Sequence, residues 1–359
     1  MMRNEGPICV AMSGGVDSSV VAGLLKSQGH DVIGVTMQIW QESQRDPRHA
    51  GCCSLGAVED ARRVAAILDV PHYVVNFKDQ FRKAVIEEFI EEYAAGRTPN
   101  PCVTCNREVK FEVLMQKALE LGCTRLATGH YARITKDQST QKYALRRAKA
   151  LNKDQSYALY ALSQEQMSRT LFPLGELDDK AQTRAIAKEL GLPVAFKPDS
   201  QEICFVSEAG GYREFLKKSN PEMFEQGELV DTAGNTIGRH DGAAGFTVGQ
   251  RRGLGVATGK PLYVVSIHPA QKRVVVGDKK ELLETKVRLK DVTWSSVEDS
   301  EIPISVVAKV RYNMEPASAV LVGGKYPKIT FDEPVYAVAP GQTAVAYQGD
   351  RVAAGVRIV

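Results

Sequence analysis

A buried strand that runs into a Ser-Gly-Gly turn and then into a helix constrains this chain more than any other feature. The apolar residues 8–10 lead into Ser13-Gly14-Gly15-Val16-Asp17-Ser18-Ser19, and a helical pattern follows. Glycines let a backbone approach a ligand closely, and a helix N-terminus presents unpaired N–H groups and the positive end of the helix dipole. The segment therefore predicts a cradle for a phosphate or another anion.

Two common phosphate-binding patterns do not describe this segment. The lysine of a Walker P-loop is absent, and the glycines are not spaced as G-x-G-x-x-G. The segment is similar to the pyrophosphate loop of the ATP pyrophosphatases, which split ATP between its α and β phosphates and adenylate an oxygen. The alternative is a tight strand-to-helix turn that binds no ligand.

Length and composition predict a multidomain globular protein, and the expected lack of a signal peptide and of a membrane span predicts that it lies in the cytoplasm. At 359 residues the chain should form two or three domains, and 43% hydrophobic with 25% charged residues is typical of a globular protein. We expect neither a signal peptide nor a membrane span. The net charge of +3 neither requires nor excludes nucleic acid, whereas local clusters of cations are compatible with an RNA partner. These clusters are Arg146-Arg147 with Lys149 and Lys153, Lys217-Lys218, Arg251-Arg252 and Lys279-Lys280.

Short apolar strands alternate with amphipathic helices through residues 1–205. Predicted strands cover residues 8–12, 32–37, 73–76 and 125–128, and predicted helices cover 18–28, 57–68, 80–95, 108–121 and 180–190. This alternation indicates right-handed βαβ units and a mostly parallel sheet. Ligands of such a sheet bind beyond the carboxyl ends of its strands, where the Ser-Gly-Gly loop, Met37 and Gly129-His130 should meet.

The pattern changes after about residue 205. Glycines become frequent, helical periodicity fades, and from about residue 282 the runs are short and β-rich, as at 306–310, 319–322 and 335–338. We therefore predict an α/β protein with three domains. A nucleotide-hydrolase-like domain with a parallel sheet and the pyrophosphate loop covers 1–205, a small mixed domain 206–281, and a C-terminal β-barrel 282–359.

The seven cysteines argue against a disulfide framework in a chain expected in the cytoplasm. Cys105 closes a proline-rich loop and stands just before a predicted helix, with Asn106 as a candidate cap. The helix dipole should lower its thiol pKa and suit it to act as a nucleophile. Cys102 and Cys105 also form C-x-x-C, which alone indicates a redox pair or part of an iron–sulfur site. A structural zinc site would need a second such pair.

Three further polar features lie in predicted loops or at strand ends. Cys204 follows the helix at 180–190 and has polar neighbours, which suits a reactive thiol better than a structural one. His130 stands at a strand end, where it either packs at the margin of the sheet or faces a ligand. Lys153-Asp154-Gln155 offers a cation, a carboxylate and an amide for a phosphate or a base edge, or forms an ordinary polar turn.

Several motifs, in order along the chain, carry a resemblance to one enzyme family. The chain resembles the tRNA-specific 2-thiouridylases, which thiolate the wobble uridine of tRNA. The resemblance spans essentially the whole chain, and the paired cysteines with Gly-Gln-Arg-Arg-Gly-Leu-Gly are its most discriminating part. The motifs are residues 13–19, Gly51-Cys52-Cys53-Ser54, 98–106, 127–131, 153–157, 199–205, 247–255, Val310-Arg311-Tyr312 and Pro340-Gly341-Gln342.

The resemblance implies ATP-dependent chemistry at C2 of uridine 34. ATP, with Mg²⁺ beside its phosphates, would adenylate the C2 oxygen, and sulfur from a persulfide on Cys204 would replace that oxygen, with release of AMP and pyrophosphate. Cys105 would release the sulfur by forming a transient disulfide with Cys204. A sulfur-relay protein or a cysteine desulfurase would load the persulfide. The implied ATP-binding residues are Ala11, Met12, Ser13, Gly14, Gly15, Val16, Asp17, Ser18, Met37 and Gly129.

The resemblance also implies contacts with tRNA. Asn100, Pro101 and Cys102 would lie against the target base, flipped out of the anticodon loop. The other implied contacts are His130, Lys153, Asp154, Gln155, Arg311, Tyr312 and Gln342.

One position departs from the family pattern. Many members carry aspartate where this chain has Cys102, so a second mechanism stays open, in which Cys102, Cys105 and Cys204 ligate a [4Fe–4S] cluster that delivers sulfide. We favour the persulfide relay, because the two matched cysteines suffice for it. Two other functions are an ATP pyrophosphatase that adds nitrogen, which would have no use for paired thiols, and a non-catalytic RNA-binding protein that retains the fold.

Overall fold

The computed structural model describes residues 6–40, 55–199, 203–207, 209–256 and 259–359. The chain divides into two compact units. Unit 1 comprises Met1–Val85, Cys102–Glu208 and Asp350–Val352, and unit 2 comprises Ile86–Pro101, Ala209–Gly349 and Ala353–Val359. The predicted domain boundaries at 205 and 281 stay predictions. In the part of the chain described, no helix is both long and apolar enough to span a membrane.

The strands of unit 1 form a parallel sheet and a hairpin. The strands are β1 (Ile8–Ala11), β2 (Val32–Gln38), β3 (His72–Asn76), β4 (Arg125–Ala127), β5 (Ala132–Lys136), β6 (Tyr143–Arg147) and β7 (Thr170–Leu171). The sheet has the order β3-β2-β1-β4-β7, and every adjacent pair is parallel. β5 and β6 form the hairpin.

Helices cover the sheet of unit 1 and recur in unit 2. In chain order they are α1 (Val16–Ser27), α2 (Leu55–Ile67), α3 (Lys78–Phe81), α4 (Glu87–Ala94), α5 (Pro101–Thr104), α6 (Leu114–Glu120), α7 (Gln164–Ser168), α8 (Lys180–Glu189), α9 (Cys204–Ser207) and α10 (Tyr212–Ser219). Arg82–Ile86 and Cys105–Val113 are π-helical. Single 3₁₀ turns are Leu151–Lys153, Ser156–Ala158, Pro173–Glu176, Pro193–Phe196, Pro221–Phe224, Ala243–Gly245, Pro269–Gln271 and Lys279–Leu282.

The parallel sheet predicted from the alternation of strands and helices is confirmed. β1 reads as a continuous apolar run because both faces of the strand are covered, and Cys9 and Val10 are fully buried. One face of α1 packs on it through Val20 and Val21, each of which contributes about 1.5–3 kcal/mol of burial free energy. β1 lies between β2 and β4, so the strand order reverses at the end of β1. Such a switch point is where an α/β sheet opens a crevice for ligands.

The β5–β6 hairpin was not predicted, because its polar residues mask the alternating pattern. Arg133 and Arg146 each donate to the carboxylate of Asp350, which belongs to the third chain segment of unit 1. The hairpin is therefore fixed by residues distant in sequence.

Unit 2 contains two β structures. A four-stranded sheet is ordered β10-β11-β8-β9, from β8 (Gly227–Val230), β9 (Thr236–His240), β10 (Tyr263–His268) and β11 (Arg273–Gly277). Six strands then close into a barrel in the order β12-β15-β14-β13-β16-β17, because β12 also pairs with β17. The predicted C-terminal barrel is confirmed. Its strands are β12 (Leu283–Trp294), β13 (Ile304–Lys309), β14 (Ala317–Val322), β15 (Lys328–Tyr336), β16 (Thr343–Gln348) and β17 (Arg351–Ile358).

The small domain predicted as mixed contains an α-helix, α10, that was not predicted from the sequence. α10 spans only Tyr212–Ser219, too short for a sequence period to stand out. Aromatic contacts hold it: Phe215 lies 6.0 Å from Phe89, and Tyr212 stacks on Tyr93 at 5.2 Å, both on α4.

Candidate active site

Glycine and serine residues shape the loop that follows β1. Gly14 has φ +67°, and a Cβ atom on it would lie 2.0 Å from the carbonyl oxygen of Ala57 in the first turn of α2. The Ser13 N–H donates to Ser18 Oγ at 3.1 Å, and Ser19 Oγ donates to the Gly15 carbonyl at 2.8 Å. The loop is therefore packed tightly at a position that only glycine fits.

The N-terminus of α1 opens from this loop with no side-chain cap. Gly15 is the N-cap residue and makes no side-chain cap hydrogen bond. Gly129, just beyond β4, lies against the first turn of α1, so closely that a Cβ atom on it would lie 2.8 Å from the Ser18 nitrogen. Met37 lies at the carboxyl end of β2, the neighbour of β1. Three strand ends thus meet around an uncapped helix terminus, which is a favourable place for a phosphate.

Asp17, in the first turn of α1, is held by two partners. Lys180 Nζ lies 2.6 Å and 2.7 Å from its two carboxylate oxygens, and the Tyr131 hydroxyl donates to Oδ1 at 2.9 Å. Tyr131 also lies 2.7 Å from Thr183 Oγ1. Burial, and then the charge of Asp17, raise the pKa of Tyr131, so its hydroxyl stays protonated and donates at neutral pH.

ATP and Mg²⁺ fit these groups. The close approach of Gly14 and Gly129 leaves backbone, not side chain, next to the helix N-terminus, as a phosphate requires. Mg²⁺ is commonly held by one or two carboxylates together with substrate phosphates, and Asp17 supplies such a carboxylate. When bound, the ion would neutralise charge on the phosphates.

A lysine from the segment that precedes Cys204 also contacts the loop. Lys197 Nζ donates to the Gly14 carbonyl at 3.0 Å and to Asp60 Oδ2, on α2, at 2.7 Å. The lysine therefore joins three separate stretches of unit 1 at the loop. This contact adds a cation beside the predicted phosphate position.

Asp199 forms ion pairs with three cationic side chains. Lys180 lies 3.0 Å from Asp199 Oδ1, Arg184 lies 3.1 Å from the same oxygen, and Lys153 lies 3.2 Å from Oδ2. Burial raises the pKa of Asp199, but the hydrogen bonds and charges of Lys180 and Lys153 together outweigh burial, so the pKa lies below its usual value. Asp199 is therefore an anion that joins α8 to Lys153.

The sequence reasoning assigned no role to Lys180, Arg184 or Lys197. One signal was available: Lys180 is the first residue of α8, where the positive end of the helix dipole disfavours a cation. A lysine there indicates carboxylates nearby, which Asp17 and Asp199 supply.

The predicted position of Cys105 at a helix start is wrong. The helix begins at Pro101, which is compatible with a first helical position because its nitrogen has no hydrogen to satisfy there. Cys105 lies one turn further along, and Asn106 is not a cap. Its side chain donates to the Ala158 carbonyl at 3.0 Å and accepts from Lys110 at 2.9 Å. The helix-dipole argument does not apply to Cys105, because the effect fades beyond the first turn.

The helical segments that carry the two predicted catalytic thiols both contact the same short helix, α3. Cys105 is 8% exposed, and the π-helical segment that it begins packs against α3. Cys204 is half-buried and begins α9, whose Phe205 ring lies 5.8 Å from Phe81 at the end of α3. Both residues are thiols in the structure. Their predicted roles stay predictions, and motif residues 51–54 and 200–202 lie outside the described residues.

The ligand set of the iron–sulfur alternative is not assembled. Among the residues that the structure describes, no group of three His, Cys, Asp or Glu side chains is placed to hold a metal ion. Cys102 is exposed whereas Cys105 is buried, although both lie on one continuous helical stretch. The arrangement gives the three-cysteine cluster no support.

His130 is partly buried beside two aromatic rings. Its ring lies 6.0 Å from Phe111 and 5.9 Å from Phe172, and Nδ1 lies 2.7 Å from Thr128 Oγ1. Burial, and then the charge of Lys110, hold the pKa of His130 well below its usual value. His130 is therefore neutral at neutral pH, and its contact with tRNA stays a prediction.

The Lys153-Asp154-Gln155 motif is used within the fold. Asp154 accepts hydrogen bonds from the Ala148 N–H and the Ser156 hydroxyl, and its side chain is only 7% exposed. Gln155 Oε1 accepts from the Tyr131 N–H at 3.0 Å. Lys153 reaches Asp199. These side chains organise the loop, and their predicted contacts with tRNA stay predictions.

In unit 2, Gln342 supports the segment that leads to Asn100 and Pro101. Gln342 Nε2 donates to the carbonyl oxygens of Thr98 at 3.0 Å and Pro99 at 3.3 Å. The Thr98 N–H donates to the Pro340 carbonyl at 2.8 Å. The structure thus brings together two motifs far apart in sequence.

Arg311 and Tyr312, the other predicted tRNA contacts of unit 2, lie just after β13. The Arg311 guanidinium stacks over the Tyr336 ring at 5.2 Å, and Tyr312 is 44% exposed. An exposed ring of this kind can stack on an unpaired base, and both contacts stay predictions.

Comparisons with known proteins place the chain in a family. Family models match as a tRNA methyl transferase HUP domain over residues 6–208, a tRNA methyl transferase PRC-barrel domain over 213–278 and an aminomethyltransferase beta-barrel domain over 284–358. The tRNA-specific 2-thiouridylase MnmA of Clostridioides difficile (strain 630) is 48% identical over 350 residues, 97% of this chain and 96% of the relative. That of Heliobacterium modesticaldum is 51% identical over 356 residues, 98% and 92% of the two chains. The chain belongs to the tRNA-specific 2-thiouridylase family.

Membership in this family confirms that the protein is an enzyme with a pyrophosphate-loop domain. It excludes the two alternative functions, a synthetase that adds nitrogen and a non-catalytic RNA-binding protein. The solved structure of NMN synthetase from Francisella tularensis is 15% identical with a TM-score of 0.34, covering 60% of this chain and 77% of that chain. A likeness this low does not bear on the fold or the function of this chain.

Proposed function

We propose that the protein thiolates C2 of uridine 34 in tRNA in an ATP-dependent reaction. The observation that carries the proposal is one compact unit that holds both an uncapped helix terminus behind a Ser-Gly-Gly loop and two cysteine-bearing helical segments that contact the same helix, α3. The relatives at 48% and 51% identity are named tRNA-specific 2-thiouridylases, which supports the thiolation of tRNA at this position of uridine.

Activation of the uridine uses the loop after β1. The C2 oxygen attacks the α-phosphorus of ATP, the bond to the β-phosphate oxygen breaks, and pyrophosphate leaves toward the N-terminus of α1. Lys180 and Lys197 lie beside this loop and counter the charge that develops on the departing pyrophosphate. The adenylate turns a carbonyl oxygen, which cannot depart at neutral pH, into AMP, which can.

Sulfur transfer uses Cys204 and Cys105. The terminal sulfur of a Cys204 persulfide attacks C2 and AMP departs, which leaves uridine and Cys204 joined through two sulfurs. The Cys105 thiolate then attacks Cys204 Sγ, the S–S bond breaks, and the thiocarbonyl forms together with a Cys105–Cys204 disulfide. If Cys105 attacks Cys204 Sγ first, the persulfide S–S bond breaks, the same disulfide forms, and the hydrosulfide released adds to C2 and displaces AMP. A thiol reductant restores both cysteines.

Two macromolecules complete the proposal. tRNA supplies the uridine, whose base reaches Cys102 and Asn100-Pro101 once it is flipped out of the anticodon loop. A sulfur-relay protein or a cysteine desulfurase supplies the persulfide sulfur to Cys204.

The test follows radiolabelled sulfur from cysteine, through a cysteine desulfurase, to tRNA in the presence of ATP. The parent should yield labelled 2-thiouridine. Cys204→Ser should abolish the label, whereas Cys105→Ser should still release pyrophosphate but form no 2-thiouridine. Cys123→Ala is the matched control, because the Cys123 thiol contacts Cys9 and belongs to neither site.

Two results would contradict the proposal. The first is a Cys105→Ser or Cys204→Ser variant that thiolates tRNA as well as the parent does. The second is an anaerobic preparation whose activity rises and falls with bound iron, which would replace the persulfide relay by cluster chemistry.

A further inference from the structure

Two sets of hydrogen bonds tie Arg97 to Glu92 at the end of α4. The Gly96 N–H donates to the Tyr93 carbonyl at 3.0 Å and the Arg97 N–H to the Glu92 carbonyl at 2.9 Å, which is a Schellman ending. Gly96 has φ +74°, the left-handed conformation that such an ending requires. The side chains add a second tie, because Arg97 Nε and Nη2 donate to the two carboxylate oxygens of Glu92 at 2.8 Å and 2.6 Å. Arg97 is therefore fixed to α4 through both its backbone and its side chain.

Glu92 is a buried carboxylate that two arginines share. Its side chain is 8% exposed, and Arg357 Nη1, on β17 of the barrel, lies 3.5 Å from its Oε1. Arg357 also pairs with Glu88, one turn earlier on α4. Replacing a buried ion pair by apolar residues of similar volume is often neutral or stabilising, because burying the charges costs free energy. Stability alone therefore does not explain why charged side chains occupy this position.

The stretch from Arg97 to Pro101 is short and stiff. The rings of Pro99 and Pro101 fix their φ angles, and a residue that precedes a proline is restricted to extended conformations. Thr98 and Asn100 are the residues that precede them. The placement of Arg97 is therefore carried over to Asn100, three residues further along the chain.

The end of the barrel supports the same stretch through its backbone. A Cβ atom on Gly341, whose φ is +86°, would lie 2.9 Å from the Thr98 nitrogen and 3.0 Å from Arg97 Cβ. The Gly341 N–H in turn donates to the carbonyl of Ile358 at 2.9 Å, next to Arg357 on β17. Two separate contacts from this end of β17 thus reach the stretch, one through Gly341 and one through Arg357.

We propose that Glu92 is a positioning residue that holds Arg97, and through it Asn100-Pro101, where the target base is received. The inference rests on the proposed function. Glu92 acts through Arg97, and Arg357 joins the pair to the barrel. A flipped uridine must meet a preformed surface, because a displacement of about 1 Å in a group that orients a substrate can cost about 100-fold in rate.

A positioning role and a purely structural role predict different kinetics. The affinity of a protein for RNA comes largely from contacts with the phosphate backbone, so the Kd for tRNA should stay near parental when only the base contact is misplaced. Adenylation requires the C2 oxygen to be in place, so kcat should fall equally for thiolation and for tRNA-dependent pyrophosphate release. The affinity for α,β-methylene ATP should not change.

The test compares Arg97→Met with the double variant Glu92→Met/Arg97→Met by urea unfolding, tRNA binding and steady-state thiolation on the full chain. Arg97→Met leaves the buried carboxylate with only the longer contact to Arg357, so it should unfold at a lower urea concentration than the parent. The double variant also removes that carboxylate and should regain the parental midpoint. Its kcat should nevertheless lie about 10- to 100-fold below that of the parent.

Arg273→Met is the matched control, because Arg273 pairs with Glu228 in the four-stranded sheet of unit 2 and supports no predicted base contact. It should keep the parental kcat. Arg97→Lys keeps the charge but loses the two-pronged pairing with Glu92, so its kcat should lie between those of Arg97→Met and the parent.

A double variant that regains both the parental midpoint and the parental kcat would overturn the positioning role and leave the cluster as a stabilising contact. Arg97→Lys serves if the double variant does not fold, and a parental kcat in Arg97→Lys would overturn the inference as well. A parent that forms no 2-thiouridine would instead overturn the proposed function.

Discussion

A methyl group at Gly14 should damage the ATP loop far more than the same change at an ordinary left-handed glycine. Gly14 has φ +67°, and its missing Cβ would lie 2.0 Å from the Ala57 carbonyl oxygen and 2.7 Å from the carbonyl carbon. Gly29, at the end of α1, has φ +82° and no atom within 4 Å of the corresponding position. Gly14→Ala and Gly29→Ala therefore form a matched pair.

Two contributions to the free energy of unfolding distinguish the variants: the left-handed backbone conformation and the overlap with neighbouring atoms. The left-handed conformation costs an alanine about 1–2 kcal/mol at either site. At Gly14 the overlap with fixed backbone adds about 1–3 kcal/mol, typical of an overpacked position. Gly14→Ala should thus be about 1–3 kcal/mol less stable than Gly29→Ala. If the loop moves away from α2 to relieve the overlap, the same energy appears as an ATP affinity about 5- to 150-fold weaker.

Urea unfolding and calorimetric titration with α,β-methylene ATP check both quantities. Gly29→Ala should bind the analogue like the parent, because Gly29 lies at the opposite end of α1 from the loop. The reasoning is refuted if Gly14→Ala and Gly29→Ala unfold at the same urea concentration and Gly14→Ala binds the analogue with parental affinity.

Three other substitutions test separate contacts. Tyr131→Phe removes the hydroxyl shared by Asp17 and Thr183 and should cost about 1–3 kcal/mol in urea unfolding, and an unchanged free energy of unfolding would show that this hydroxyl does not stabilise the fold. His130 is held neutral in the folded protein, whereas in the unfolded chain it takes up a proton below a pKa near 6.5. Its contribution to stability is therefore present above about pH 6.5 and declines as the pH falls below it. The melting temperature of His130→Gln should fall less between about pH 7 and pH 5 than that of the parent. Gln342→Ala removes two hydrogen bonds to Thr98 and Pro99 and should lower kcat/KM for tRNA, in thiolation and in tRNA-dependent pyrophosphate release alike, while the affinity for α,β-methylene ATP stays parental. A parental kcat/KM would show that this support is dispensable.

Local pattern was enough for the sheet that carries the site. β1, β2 and β4 were predicted to within a residue or so, because strands covered on both faces are apolar throughout. Parallel neighbours then bring their carboxyl ends to one edge, which placed the loop, Met37 and Gly129 together in advance. The barrel was predictable from short β-rich runs separated by turn residues.

Local pattern failed at the helix that carries Cys105. The prolines of residues 96–106 indicated an extended loop up to Cys105, yet Pro101 is the first helical residue. Proline suits both an extended segment and the first turn of a helix, so the sequence alone does not decide between them. Packing against α3 and the Ala158 carbonyl decided it.

The sequence by itself determined the fold class, the phosphate cradle after β1 and the candidate thiols, because each depends on neighbours within a few residues. Only the tertiary structure decided how Asp17, Lys180 and Asp199 are joined, and that Asp154, Gln155 and Gln342 work inside the fold. The sequence does not show whether a charged side chain faces solvent or pairs with a residue far along the chain. Its electrostatic role is set by distance and burial, which exist only once the chain has folded.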